Sequence, residues 1–219
     1  MGSQYYAAHL SQAEADRVDV MIDTDMIASP NFARLVYDGN HDETEAGTPG
    51  PPGSGLIEEV FERYWNQRGL ASENIPFDGR SDYVGFVNRG IPSGGVFAGA
   101  EAPKTAEQVE LYGGVEGEQL DPCYHEACDS FATVTGQPPA ETMNVYEANP
   151  TPANLAIAQA QADSLNGNAV RSLRQFLPNL VHAVWFFARA KDALPTTATA
   201  STKRVSRFKY AGHRKARTR

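Results

Sequence analysis

The chain reads as an α/β sandwich whose functional edge lies at the carboxyl ends of its strands. Short runs of alternating or β-branched residues are interleaved with stretches of helical periodicity. Acidic or polar residues stand where the strand candidates end, and no internal repeat is evident. With 219 residues, 41% of them hydrophobic, the chain can bury the core of one globular domain.

The first organised piece, Ser11 to Arg17, is polar and helix-forming. In the next run, Val18, Val20 and Ile22 alternate with Asp19, Met21 and Asp23, which predicts a strand ending near Asp25 with a carboxylate at its tip. Ser29-Pro30-Asn31 breaks the chain, and Ala33 to Asp38 forms a second short strand candidate closed by Gly39-Asn40. A loop rich in Gly, Pro and acid runs from Asn40 to Ser54. Leu56, Ile57, Val60, Phe61, Tyr64 and Trp65 then repeat at helical spacing, with Ser54 as the expected cap and Gly69 as the stop. A helix is expected from Tyr83 to Asn88, a buried strand around Gly95 to Ala98, and a helix capped by Thr105 running through Tyr112. From Ala153 to Lys191 the pattern is helical, with a break or kink expected near Pro178.

Charge and composition narrow the function classes. The net charge of −8 is uneven, because eight of the nineteen Lys and Arg residues lie between Lys203 and Arg219, where there is no acid. Such a tail could bind nucleic acid or an anionic surface. The Thr- and Ala-rich run from Pro195 to Ser201 reads as a linker, so a solvated, disordered extension over residues 193–219 is preferred and no nucleic-acid partner is expected. No run approaches the ~18 apolar residues that span a bilayer, and Leu180 to Ala188, which contains His182, reads as a core helix; no membrane partner is expected. Met1 to Tyr6 has neither the basic nor the apolar region of a secretion signal. No glycine-rich strand-to-helix fingerprint occurs, so dinucleotide and P-loop cofactors are set aside. Cys123 and Cys128 suit either a small bridged loop in an oxidising compartment or a pair of buried thiols.

Two metal-like motifs are decoys. His125-Glu126-Ala127-Cys128-Asp129 imitates the start of a zincin helix, but Asp129 stands where the second histidine belongs and Pro122 favours a loop. The run His41-Asp42-Glu43-Thr44-Glu45 reads as solvated surface, with a weak calcium site as the alternative.

Three stretches carry a resemblance: Asp25-Met26-Ile27-Ala28-Ser29-Pro30-Asn31, Gly79-Arg80-Ser81-Asp82-Tyr83, and Asp121-Pro122-Cys123-Tyr124-His125-Glu126-Ala127-Cys128-Asp129. Their order and spacing resemble the actinobacterial-type double-zinc aminopeptidases of metallopeptidase family twenty-eight, with Gly90 to Gly95, Gly99-Ala100-Glu101 and Lys104 to Gln108 falling between them as that family has them. The resemblance runs from about Gly2 to Asp129 and resumes weakly at Leu180 to Ala188. It implies a three-layer α/β/α sandwich of the zinc-aminopeptidase type, with residues 1–192 as the C-terminal part of a catalytic domain that is incomplete at its N-terminal side. Two zinc ions and a peptide substrate are implied with it.

The same resemblance implies roles. Asp25 looks like the carboxylate ligand of one zinc and His125 like the imidazole ligand of the other. Tyr124 looks like the phenol that steadies the tetrahedral intermediate, and Arg80 like a residue whose backbone holds the substrate's free amino group. Phe97 looks like part of the apolar pocket for the first side chain, and Cys123–Cys128 like a small disulfide framing the histidine. These types suit the chemistry, since zinc takes imidazole nitrogen and carboxylate oxygen and a phenol can donate to a developing oxyanion.

The family's second histidine, bridging aspartate and adjacent glutamates, which precede the Asp25 motif, have no counterpart here. Gly2-Ser3-Gln4-Tyr5-Tyr6 resembles the family's segment immediately downstream of the glutamate pair, so the chain is expected to begin directly after its catalytic base. The chain alone is therefore expected to be inactive and to associate, either with a missing N-terminal fragment or with itself, through sheet edges left uncovered. The parent protein is expected to be extracellular. Ala28 stands where the family has glycine, and residues 131–178 look extended or rearranged. The competing reading is a noncatalytic remnant or interaction protein on the same fold; glutaminyl cyclisation on a related fold uses one zinc and matches the motifs less well.

Overall fold

The computed structural model of the protein describes residues 2–129 and 168–190. The basic tail and the helical pattern read between Ala153 and Gly167 lie outside the described residues. The described chain runs α1 (Gly2–His9), α2 (Gln12–Ala15), β1 (Met21–Asp25), β2 (Leu35–Tyr37), α3 (Ser54–Asn66), β3 (Glu73–Ile75), α4 (Val84–Val87), β4 (Ser93–Phe97), α5 (Ala106–Tyr112) and α6 (Asn168–Arg189).

The strands form one mixed sheet in the order β1-β4-β2-β3. β1 runs parallel to β4 with Asp25 opposite Phe97, β4 is antiparallel to β2, and β2 is parallel to β3. The pleat separates two apolar faces. On one, Ile22, Val36 and Val96 meet α3 and α6. On the other, Met21, Tyr37 and Phe97 pack with Phe77, Tyr83 and Val84 beneath α4, and α1 lies against α4. Helices thus cover both faces, and the α/β class read from the sequence holds.

The helix at 54–66 forms for the reason its pattern gives. Ile57, Val60, Phe61 and Trp65 share one stripe and are buried against the sheet and α6. Its cap differs from expectation: the N-cap is Gly53, and Ser54 instead accepts a 3.0 Å hydrogen bond from the Ser93 N–H, tying the helix start to β4. Gly69, at φ 68°, follows the C-terminal turn as expected. Thr105 caps α5 as expected, and Ser11 caps α2 as well. Ser11 with Glu14 and Thr105 with Gln108 are both complete capping boxes.

Helix α6 is continuous through Pro178, so of the break or kink expected there the break does not occur. Proline forfeits one intrahelical bond, but the flanking turns are anchored from outside: Trp65 Nε1 donates to the Gln175 carbonyl and Asn179 Nδ2 to that of Phe61. Ser172 Oγ donates to the Ile27 carbonyl, fastening α6 beneath the loop that leaves β1. The first strand begins at Met21, later than the pattern from Val18 suggested, and neither α1 nor β3 was foreseen. β3 is short, half-buried and lacks alternation, so its sequence carries no strand signal.

Lys104 holds the turn between β1 and β2 from inside. It is 2% exposed and donates to the carbonyls of Asn31 and Phe32 at 3.1 and 2.7 Å. Burial, with Arg171 and Arg34 nearby, pushes its ammonium down to about 8 from 10.5. Between those values the unfolded chain keeps a proton that the folded protein has released, so stability rises with pH there. We expect a gain on the order of 2 kcal/mol from pH 8 to 10.5 in urea melts, absent in Lys104→Met.

Candidate functional site

Because β1 and β4 are parallel neighbours in register, Asp25 and Phe97 emerge together at one carboxyl edge. There a cavity of about 560 Å³ opens, and Asp25, Arg80, Phe97, Tyr124 and His125 all line it. Five residues from four separate stretches, each singled out in the sequence, are therefore brought to one place.

Two loops complete the edge. The first, 78–83, braces itself: Gly79 N–H donates to Tyr83 Oη at 2.8 Å, and Tyr83 Oη donates to Asp78 at 3.2 Å. The second is the ring closed by the Cys123–Cys128 disulfide, with Cα atoms 5.3 Å apart. It is tied to the β4 exit by Asp121 N–H on the Ala100 carbonyl at 2.8 Å. Within it, His125 sits at φ 58°, a left-handed conformation that a residue with a Cβ adopts at a cost. The Tyr124 and His125 rings meet edge to face, centroids 4.1 Å apart.

Arg80 uses its groups otherwise than by simple projection. Its backbone N–H donates to Asp78 at 3.0 Å, and its guanidinium pairs with Glu101 at 2.6 Å on the rim. The pair raises the guanidinium above its ordinary range, with Tyr124 adding to it. Both side chains are about half exposed (59% and 47%), so the pair adds little to stability and serves to locate the rim.

Asp23 and Ser81 are the parts of the edge that sequence reasoning did not assign. Asp23 shares the β1 face of Asp25, two residues away, and is 6% exposed. Ser81 Oγ lies 2.8 Å from Asp23 Oδ2 and 2.7 Å from Asp25 Oδ2. Burial pushes the Asp23 carboxyl above the usual range, against the pull of Ser81 and with Asp25's charge adding to the rise. A hydroxyl has one proton to give, so both contacts are hydrogen bonds when Asp23 carries the second. The signal for Asp23 was present in the alternation of β1; that for Ser81 was its place beside Arg80.

The acidic loop behaves differently from a ligand site. Asp38, Asp42 and Glu58 do converge, their oxygens within 4.8 Å of one another. Yet Asp38 accepts from the N–H groups of His41, Asp42, Glu43 and Thr44 and from the Thr44 hydroxyl, while Glu58 accepts from Gly39 N–H and Asn74. These carboxylates fasten the loop, leaving little capacity for the six or more oxygens that calcium takes.

Open α/β sheets gather their ligand sites at the carboxyl edge, and the cavity lies at that edge among polar groups and one apolar wall. Residues 1–146 match the family model described as Peptidase family M28, and the chain belongs to that family. Over 134 residues it is 46% identical to an aminopeptidase of Pseudomonas aeruginosa, covering 61% of this chain and 25% of that protein. It is 42% identical over the same length to leucine aminopeptidase 2 of Trichophyton rubrum, covering 61% of this chain and 27% of the relative. The chain thus spans about a quarter of the length of these curated relatives.

Proposed function

We propose that this chain supplies part of the active site of a zinc-dependent aminopeptidase that removes N-terminal residues from peptides. The observation that carries the reading is the convergence of Asp25, Arg80, Phe97, Tyr124 and His125 on one cavity. Asp25 and His125 offer the oxygen and nitrogen donors that zinc takes. They fit it in kind and would hold it as one ligand each. Among the described residues the only trio of His, Cys, Asp or Glu donors close enough for one ion is Asp38, Asp42 and Glu58, so those residues give this cavity fewer than the three protein ligands of a catalytic zinc. The remaining donors and the general base would come from polypeptide outside this chain, and the relatives' greater length leaves room for them.

Zinc bound here supplies Lewis-acid polarisation of the scissile carbonyl. The chain's own residues do the rest: Tyr124 donates to the oxygen as negative charge develops, and the Arg80 backbone with nearby carboxylates receives the substrate's ammonium group. Phe97 packs the first side chain. The disulfide suits an oxidising, extracellular setting.

The test has two arms. The chain with zinc alone is expected to release no nitroaniline from leucine p-nitroanilide. Combined with the N-terminal portion of the Pseudomonas relative, it is expected to gain turnover that falls at least 100-fold with His125→Ala and is absent on the N-acetylated substrate. Turnover by the chain alone that His125→Ala abolishes would overturn the claim of incompleteness. Reconstituted turnover indifferent to both His125→Ala and Asp25→Asn would overturn the site.

A further inference from the structure

Helix α6 buries polar side chains and turns apolar ones outward. Ser172 and Asn179 are fully buried and donate to the carbonyls of Ile27 and Phe61. Leu177, Val181, Val184 and Trp185, by contrast, are 45, 66, 51 and 55% exposed. These four recur at the spacing of a single stripe, and Val170, 40% exposed, extends it over about 22 Å of helix. Exposed apolar surface gathered in this way marks a contact face. The charge around it has one sign. Helix α6 carries Arg171, Arg174 and Arg189 and no acid, and the Arg189 guanidinium lies 4.9 Å over the Trp185 ring. On the α3 side, Arg68 covers the Tyr64 ring, which also packs against His182 of α6. Residues 168–219 hold twelve Lys and Arg and a single acid, Asp192, whereas the residues before them hold seven Lys and Arg and twenty-six acids. The positive charge of this acidic chain is thus concentrated on and after the helix that bears the stripe.

We propose that α6 docks on an anionic lipid surface, lying flat with Leu177, Val181, Val184 and Trp185 against the acyl chains and its arginines at the headgroups. Helices that bind in this manner pair an apolar stripe bearing a bulky aromatic with basic side chains beside it. Arginine's long apolar stem lies along the stripe while its charge stays among the headgroups. Among the described residues no helix is long and apolar enough to cross a membrane. A face laid in the interface needs no such span, and it departs from the expectation that the chain meets no membrane. Charge decides between occupants. A second copy packed stripe to stripe sets arginines against arginines, with no acid on either helix to pair them. Anionic headgroups attract every one of them, and a lipid surface accepts a convex helix face without a groove cut to fit it. None of the stripe residues lines the candidate cavity, so the docked chain leaves that edge open.

The full chain has two tryptophans, and Trp65 is already buried, so an emission change on binding reports Trp185. Vesicles of phosphatidylcholine and phosphatidylglycerol in equal parts are expected to cosediment with the chain and to shift its emission to the blue. Bromine on the acyl chains of the same vesicles is expected to quench it, and phosphatidylcholine alone to do neither. Val181→Asp and Arg174→Glu, both at exposed positions, are expected to raise the lipid concentration for half-binding by about 10-fold or more while far-UV circular dichroism stays native. Val181→Leu is expected to bind like the native chain. No binding to the anionic vesicles overturns the proposal. Binding that leaves Trp185 unquenched and is indifferent to Val181→Asp assigns the contact to the basic residues 203–219 alone and overturns it too. A lipid-free dimer that shields Trp185 from iodide, and that Val181→Asp converts to monomer, gives the stripe to a second copy instead. Polyglutamate producing the same blue shift as the vesicles gives it to an acidic polypeptide, and either result overturns the lipid assignment. Should Val181→Asp lose its native circular dichroism, Val181→Ser and Arg174→Glu decide.

Discussion

Gly95→Ala is expected to leave the protein unfolded, or to cost more than about 4 kcal/mol if a folded fraction survives. Gly95 lies in β4 directly opposite Asp23 of β1, at φ 150°. A Cβ built there would stand 1.8 Å from the Asp23 carbonyl oxygen and 2.7 Å from its carbonyl carbon. Those atoms are backbone of the paired strand and cannot turn aside as a flexible side chain would. To admit even a methyl group, β1 must move off β4, which breaks the ladder and displaces Asp23 and Asp25 together. Far-UV circular dichroism and urea melts of the purified variant check this. A cooperative melt within about 1 kcal/mol of the native chain would show that the strands do not approach as closely as described.

The second large effect is a loss of stability as pH rises toward 8. Glu58 is 4% exposed, and burial, with Glu62, Asp38 and Asp42 facing it, pushes its carboxyl up to about 8. Glu62, next along the same helix face, is pushed to about 7 by burial and by Glu43, Asp42 and Asp38. Asp38, bonded by four N–H groups and a hydroxyl, lies below its ordinary range, so the charge of the cluster rests on it and the protons on its neighbours. Between 4.5 and 8 the folded protein keeps a proton at Glu58 that the unfolded chain has released. The stabilisation is thus complete below pH 4.5 and spent above about 8. We expect a fall on the order of 3 kcal/mol across that window, which Glu58→Gln should reduce by more than half. Since Lys104 acts in the opposite sense above 8, the contributions of these two groups together pass through a minimum near pH 8. A stability profile flat from about pH 5 to 8, or unaltered by Glu58→Gln, would refute the buried-acid account.

Much of the edge that bears the candidate site could be read from the chain itself. Alternation before Asp25, the helical stripe at Leu56 to Trp65 and the boxes at Ser11 and Thr105 are local signals, and local physics honoured them. The misreadings have a common origin in contacts distant along the chain. Ser54 looks like a cap, but β4 offers it the Ser93 N–H and it takes that partner. Pro178 looks like a break, but α3 anchors the turns on either side of it. β3 has too few residues to show a period and exists because β2 provides a ladder for it.

The alternation of elements, the family, and the residue types gathered in the Asp25, Arg80 and Tyr124-His125 motifs were determined by the sequence on its own. These depend on spacing within a few turns or on motif order, which a one-dimensional pattern preserves. Only the tertiary structure decided that β1 and β4 run parallel in register, so that Asp25 and Phe97 share an edge. It alone brought Ser81 between Asp23 and Asp25, across 58 and 56 residues of chain. Such meetings are settled by how the sheet buries its two faces, and that choice is made by the whole core at once.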